Sequence, residues 1–264
     1  MDKQIASRFE ALRHLAAAGN RGSQIEPHRS LHQLPFPVQR ISVMVLLPAL
    51  FNLATWAVRD SISGTWLALF KYWVPRLELP VTVSARSMGQ GIFAIVLPHV
   101  DVPTRAPDPL TWWLTLAVTL LCLLATVRLP SDFLPLCYFL RFLCIIQASA
   151  LAFFAATPAA FHYTVPDYLD SSLLSGAMLM LLLPWLHGLT YHIFDFSLGR
   201  KALFTFLSLA FICVALPMQL LVHLLLLNAW SVLMLPLLYL MLGLWLQILA
   251  AIALYGWAMS WKHG

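Results

Sequence analysis

LTWWLTLAVTLLCLLATVR, residues 110–128, decides the fold. It contains no acidic residue, and its one basic residue, Arg128, is the last. The run LLCLLATV within it shows neither the two-residue alternation of a half-buried strand nor the polar stripe of a helix with one face in water. At about 1.5 Å per residue, such a helix crosses the ~30 Å hydrocarbon layer of a bilayer, which takes roughly 20 residues. A spanning β-barrel would instead show segments of about ten residues in which polarity alternates.

Outward from this segment the same composition recurs at 41–58, 134–156, 172–194, 202–227 and 233–258. Over all 264 residues the chain is 61% hydrophobic and 10% charged, with a mean hydropathy of +0.81. Soluble domains carry about 25% charged residues. The expected fold is therefore all-α and polytopic, with six transmembrane helices. With the N-terminus inside, ten of the sixteen Lys and Arg fall in inner segments, five in outer loops, and Arg141 in a span. The short outer loops 157–171 and 228–232 hold none, so the positive-inside rule places both termini in the cytoplasm. Orientation accounts for the net charge of +5 without a nucleic-acid partner; the expected partners are the lipid bilayer and other membrane-protein subunits.

The chain divides into four parts. Residues 1–40 read as a cytoplasmic amphipathic helix over 3–18, with Ile5, Phe9, Leu12 and Leu15 on one face, followed by a Gly/Ser/Pro-rich tether. No signal-peptide pattern precedes the first span, 41–58, which is expected to stay as an anchor. The loop 59–109 carries an amphipathic segment whose Trp66, Phe70, Tyr72 and Trp73 suit the head-group interface. It also carries the chain's β signal. Leu77, Leu79, Val81 and Val83 alternate with polar residues, SMGQG reads as a turn, and IFAIVL offers a partner strand. The remainder, 110–264, is a five-helix bundle. Cys122, Cys137, Cys144 and Cys213 all fall in spans and imply no disulfide framework. The absence of an Asn-x-Ser/Thr sequon agrees with a bacterial inner membrane.

Few polar groups stand out. Arg141 lies seven residues into the third span, about 10 Å by helical rise, and an arginine at mid-span costs about 2.5–3.5 kcal/mol unless it meets a partner. Either the side chain reaches back toward the cytoplasmic face, or it meets a partner, Gln247 or an acidic group on another subunit. Gln147, Gln219 and Gln247 are further candidates for polar contacts within the membrane. His187 and His192 are five apart, which excludes shared metal ligation from one regular helix; His187 shares a face with Tyr191, and a hydrogen bond between helices is expected there. In the stretch FHYTVPDYLDSS, residues 161–172, His162, Asp167 and Asp170 accompany His223 of the fifth span as candidate acid/base or metal-binding groups. Their structural readings are a turn at Pro166-Asp167 and a helix N-cap at Asp170 or Ser171. The fragment HYTVPD is similar to the His/Asp motif of membrane lipid phosphatases and sphingomyelin-synthase-type enzymes, but Pro166 shifts the aspartate and no Ser-Gly-His segment lies upstream. No residue is carried over from that likeness.

Three functions are compatible with this pattern. A non-catalytic subunit of a secretion, export or respiratory assembly would use the N-terminal helix, the hairpin and Arg141 to hold partners. A membrane enzyme acting on a lipid-linked substrate would use His162, Asp167, Asp170 and His223. A transporter or channel is disfavoured because no Asp or Glu falls inside a predicted span. The sequence names no cofactor.

Overall fold

A computed structural model describes residues 38–89, 91, 94–191 and 197–260. The expected N-terminal helix over 3–18, its tether to residue 37, and His192 lie outside the described residues. Within them the chain is mostly helical, with one two-stranded antiparallel sheet. Five stretches are long and apolar enough to cross a membrane: Pro109–Arg128, Leu134–Ala156, Val165–Thr190, Leu198–Trp230 and Val232–Ala258. A sixth is supplied if the bent pair formed by 41–57 and 59–76 is counted as one. This is the make-up of a multi-pass membrane protein.

Helix α1 (Val38–Ala57) bends by 55° into α2 (Arg59–Arg76). On α2 the buried residues Ser63, Trp66, Phe70 and Val74 recur at spacings of three and four, which places them on one face. That face packs against the sheet and α6. Trp66 and Phe70, expected at a head-group interface, are therefore core residues, 1% and 0% exposed. Tyr72 and Trp73 of the same segment are exposed.

Strands β1 (Thr82–Met88) and β2 (Ile95–Asp101) pair in a register that sets Ser84 against His99, Arg86 against Leu97 and Ala85 against Pro98. The hairpin is thus confirmed, but it sits several residues later than the alternation at 77–83 indicated. Pro80 ends that run, and the strand that pairs with β1 is IVLPHVD rather than IFAIVL. Pro98 is tolerated because neither strand is central in a two-stranded sheet. Strand β2 lies between α2 and α5, with Leu97 and Val100 fully buried; such residues contribute about 1.5–3 kcal/mol each on burial.

Helices α3 (Pro109–Arg128) and α4 (Leu134–Ala156) pack against each other, and Trp112 Nε1–H donates to the Leu151 carbonyl at 3.1 Å. Helix α5 (Val165–Thr190) starts seven residues earlier than expected, and α6 (Leu198–Trp230) is longer at both ends than its predicted span. The earlier start has a local cause. Thr164 is the N-cap: its Oγ1 accepts from the Asp167 amide at 3.2 Å and donates to Asp167 Oδ2 at 2.6 Å. This reciprocal cap displaces the N-cap expected at Asp170 or Ser171. The last span is not continuous. After a 3₁₀ turn at Val232–Met234 it consists of α7 (Leu235–Leu242) and α8 (Leu244–Met259), interrupted at Gly243. A Cβ at 243 would run into the Tyr239 carbonyl oxygen, so only glycine fits the break.

Prolines within these helices leave carbonyls four residues earlier without a donor, and in an apolar setting neighbouring helices must supply one. Pro217 of α6 frees the carbonyl of Cys213, and Trp66 Nε1–H meets it at 2.8 Å. Pro48 of α1 frees that of Met44, and Gly188 of α5 lies against it. A Cβ on Gly188 would sit 2.6 Å from Pro48 Cγ and 2.7 Å from the Met44 oxygen.

Candidate functional site at the hairpin–helix junction

Because α5 begins at Val165, Asp170 is not a solvated loop residue but part of the second helical turn. Its carboxylate is 8% exposed. It accepts from His99 Nδ1 at 2.8 Å (Oδ2) and 3.0 Å (Oδ1), and from Arg86 Nη1 at 3.2 Å. Register explains the convergence. Arg86 pairs with Leu97 across the sheet and His99 is two residues further along β2, so both side chains emerge on the face turned toward α5. Arg86 is 57% exposed and His99 21%, so the cluster runs from a buried carboxylate to an exposed guanidinium. The burial cost of Asp170 is met by charge-assisted bonds, which are the strong class.

Tyr168, two residues before Asp170, faces the opposite side of α5. Its hydroxyl shares a 2.7 Å hydrogen bond with Nδ1 of His223, which is 1% exposed, and the two rings stack with centroids 6.0 Å apart. The four candidates therefore divide. Asp170 binds the hairpin, His223 binds Tyr168, and Asp167 is held in the helix cap. His162 is exposed at an open pocket with Phe153, Phe161 and Pro236. Among the described residues no group of three or more His, Cys, Asp or Glu side chains converges on a metal position.

The groups within the spans also find partners other than those expected. Arg141 Nε donates to Thr126 Oγ1 of α3 at 3.2 Å, rather than to Gln247. Gln147 Nε2 donates to the Leu233 carbonyl at 3.1 Å, tying α4 to the 3₁₀ turn. Gln219 Nε2 donates to the carbonyls of Leu242 and Gly243, and Gln247 Nε2 donates to Gln219 Oε1 at 2.5 Å. His187 packs on the Phe204 ring, centroids 4.2 Å apart, and its Nδ1 has no hydrogen-bond partner. The bond between helices at this end is made by Tyr191, whose hydroxyl pairs with Thr205 Oγ1 of α6. The four cysteines are free.

His99 and Arg86 were missed in the sequence. PHVDVP reads locally as a Pro-rich connection, and only the alternation of Val96, Pro98, Val100 and Val102 with Leu97, His99 and Asp101 hints at a strand. Neither a family model, nor a curated protein, nor a solved structure matches this chain.

Proposed function

We propose that this chain is a non-catalytic integral subunit of a multiprotein assembly, in a bacterial inner membrane with both termini cytoplasmic. The observation that carries the reading is the hairpin clamp. Asp170 fixes the hairpin to α5 through two side chains, while β1 is exposed along most of its length and its second edge has no strand partner among the described residues. A rigidly held, unpaired strand edge is a template for an extended segment of another chain. Arg141 supports the same reading: it is exposed on α4, with the neutral hydroxyl of Thr126 as its hydrogen-bond partner. A carboxylate on a neighbouring subunit would complement it. Residues 1–40 would supply a third contact, on the cytoplasmic side.

The test is the mass of the particle extracted from native membranes in mild detergent. The expected particle exceeds the 29.7 kDa of the chain and holds other chains in fixed ratio. Arg141→Leu should reduce that association while the chain itself stays folded. Recovery of the wild type as a lone monomer would overturn the proposal.

One observation favours the second reading, a membrane enzyme acting on a lipid-linked substrate. A carboxylate on His99 Nδ1 orients the ring and leaves Nε2 as its free position, the arrangement of a general base. That reading requires His99→Ala to abolish function at normal protein abundance; His162, Asp167 and His223 are tested the same way.

A further inference from the structure

At the bend between α1 and α2 a small apolar pocket, with about 50 Å³ of enclosed space and an open mouth, faces α5. Its walls include Trp56, Ile62, Ala177, Met178 and Leu181, and Arg59 stands among them. The Arg59 guanidinium lies 3.9 Å over the Trp56 ring, which fixes the plane of its donors. Its Nε is buried and has no hydrogen-bond partner. The neighbouring Asp60 approaches to 3.5 Å without hydrogen-bond geometry and is itself 82% exposed, so this pair is screened by water and holds the arginine weakly.

We infer that this pocket binds an anionic phospholipid, an acyl chain lying along the apolar wall and the phosphate on Arg59. Two features together define the ligand. A soluble anion would use the guanidinium but leave the apolar wall empty, and a lipid without phosphate would fill the wall but leave the buried Nε unpaired; a zwitterionic phospholipid brings a quaternary ammonium beside its phosphate that opposes Arg59. An anionic amphiphile satisfies both, and a planar guanidinium matches phosphate oxygens two at a time. The bilayer supplies such molecules at the surface of a multi-pass protein. Binding there would also brace the α1–α2 bend against α5, since the pocket wall is drawn from all three helices.

The experiment uses the full chain, delipidated in detergent and then incubated with an equimolar mixture of phosphatidylglycerol and phosphatidylcholine, with bound lipid counted by native mass spectrometry. The expected result is one retained phosphatidylglycerol, favoured roughly tenfold over phosphatidylcholine, whose choline cation is repelled by Arg59 beside the shared phosphate. Arg59→Gln should bring the two lipids to parity, whereas Arg59→Lys should keep most of the preference. Met178→Trp, which fills the pocket and leaves Arg59 in place, should lose both lipids. Inorganic phosphate at millimolar concentration should not displace the lipid. Equal retention of the two lipids by the wild type, an unchanged preference in Arg59→Gln, or displacement by phosphate would each overturn the inference. Helicity and elution volume identify variants that fail to fold. If Arg59→Gln is among them, Met178→Trp decides: retention of phosphatidylglycerol in that variant refutes the site.

Discussion

Replacing Trp66 by phenylalanine tests the account of how this bundle accommodates its prolines. Pro217 has no N–H, so the Cys213 carbonyl lacks its helical donor, and Trp66 Nε1–H fills the position at 2.8 Å. Trp66 is 1% exposed, so water does not replace the lost donor. An orphaned buried carbonyl costs about 1–3 kcal/mol, and the smaller ring adds roughly 1 kcal/mol through the space it leaves. Trp66→Phe should therefore destabilise by about 2–4 kcal/mol. Pro217→Ala restores a backbone N–H four residues after Cys213. In that background the carbonyl is satisfied within its own helix, and Trp66→Phe should cost only the packing component. The measurement is a double-mutant cycle on reversible unfolding in mixed micelles, read by far-ultraviolet dichroism. The expected coupling is about 1–3 kcal/mol. Additivity within about 0.5 kcal/mol, the behaviour of independent sites, would refute the reasoning.

Three further outcomes are expected. Asp170→Asn removes the charge that holds Arg86 and His99; a loss near 2 kcal/mol would raise amide exchange across β2 roughly thirtyfold, while Arg86→Ala, already more than half exposed, should change it little, and the reverse order would contradict the clamp. Gly188→Ala should destabilise more than Gly176→Ala, because the added Cβ meets the Met44 backbone and the Pro48 ring in one case and the flexible end of the Leu216 side chain in the other; melting temperatures in one detergent give the comparison. Gln219→Leu leaves the Leu242 and Gly243 carbonyls without their side-chain donor, and a loss of about 1–3 kcal/mol is expected, measured by the same unfolding assay.

The spans were legible because twenty apolar residues in a row admit few alternatives, and α3 and α4 fall within a residue of where the sequence put them. What escaped was everything set by contacts distant in the chain. The alternation at 77–83 announced a strand, but its pairing register depends on β2 packing between α2 and α5, which no local pattern encodes. Trp66 and Phe70 look interfacial on a helix read alone; their burial follows from the sheet and α6, which close over them. Asp170 looks like a cap when the apolar run from 172 is taken as the whole helix; the Thr164–Asp167 cap extends the helix past it, and its partner, His99, is 71 residues away. Arg141 needed a neighbour, which the sequence did indicate; that the neighbour is Thr126 depends on how α3 and α4 are rotated about their axes.

The break at Gly243 has a geometric consequence. In an unbroken helix, direction is transmitted rung by rung through the backbone. Here one glutamine side chain rooted in α6 bridges the break, donating to the carbonyls of Leu242 and Gly243. Gln219 works as a tie rod: its length sets how far the two half-helices stand from α6, and Gln247 fixes its far end. Shortening the rod by one methylene, as in Gln219→Asn, would draw the joint toward α6 and re-aim the terminal helix without altering any residue in it.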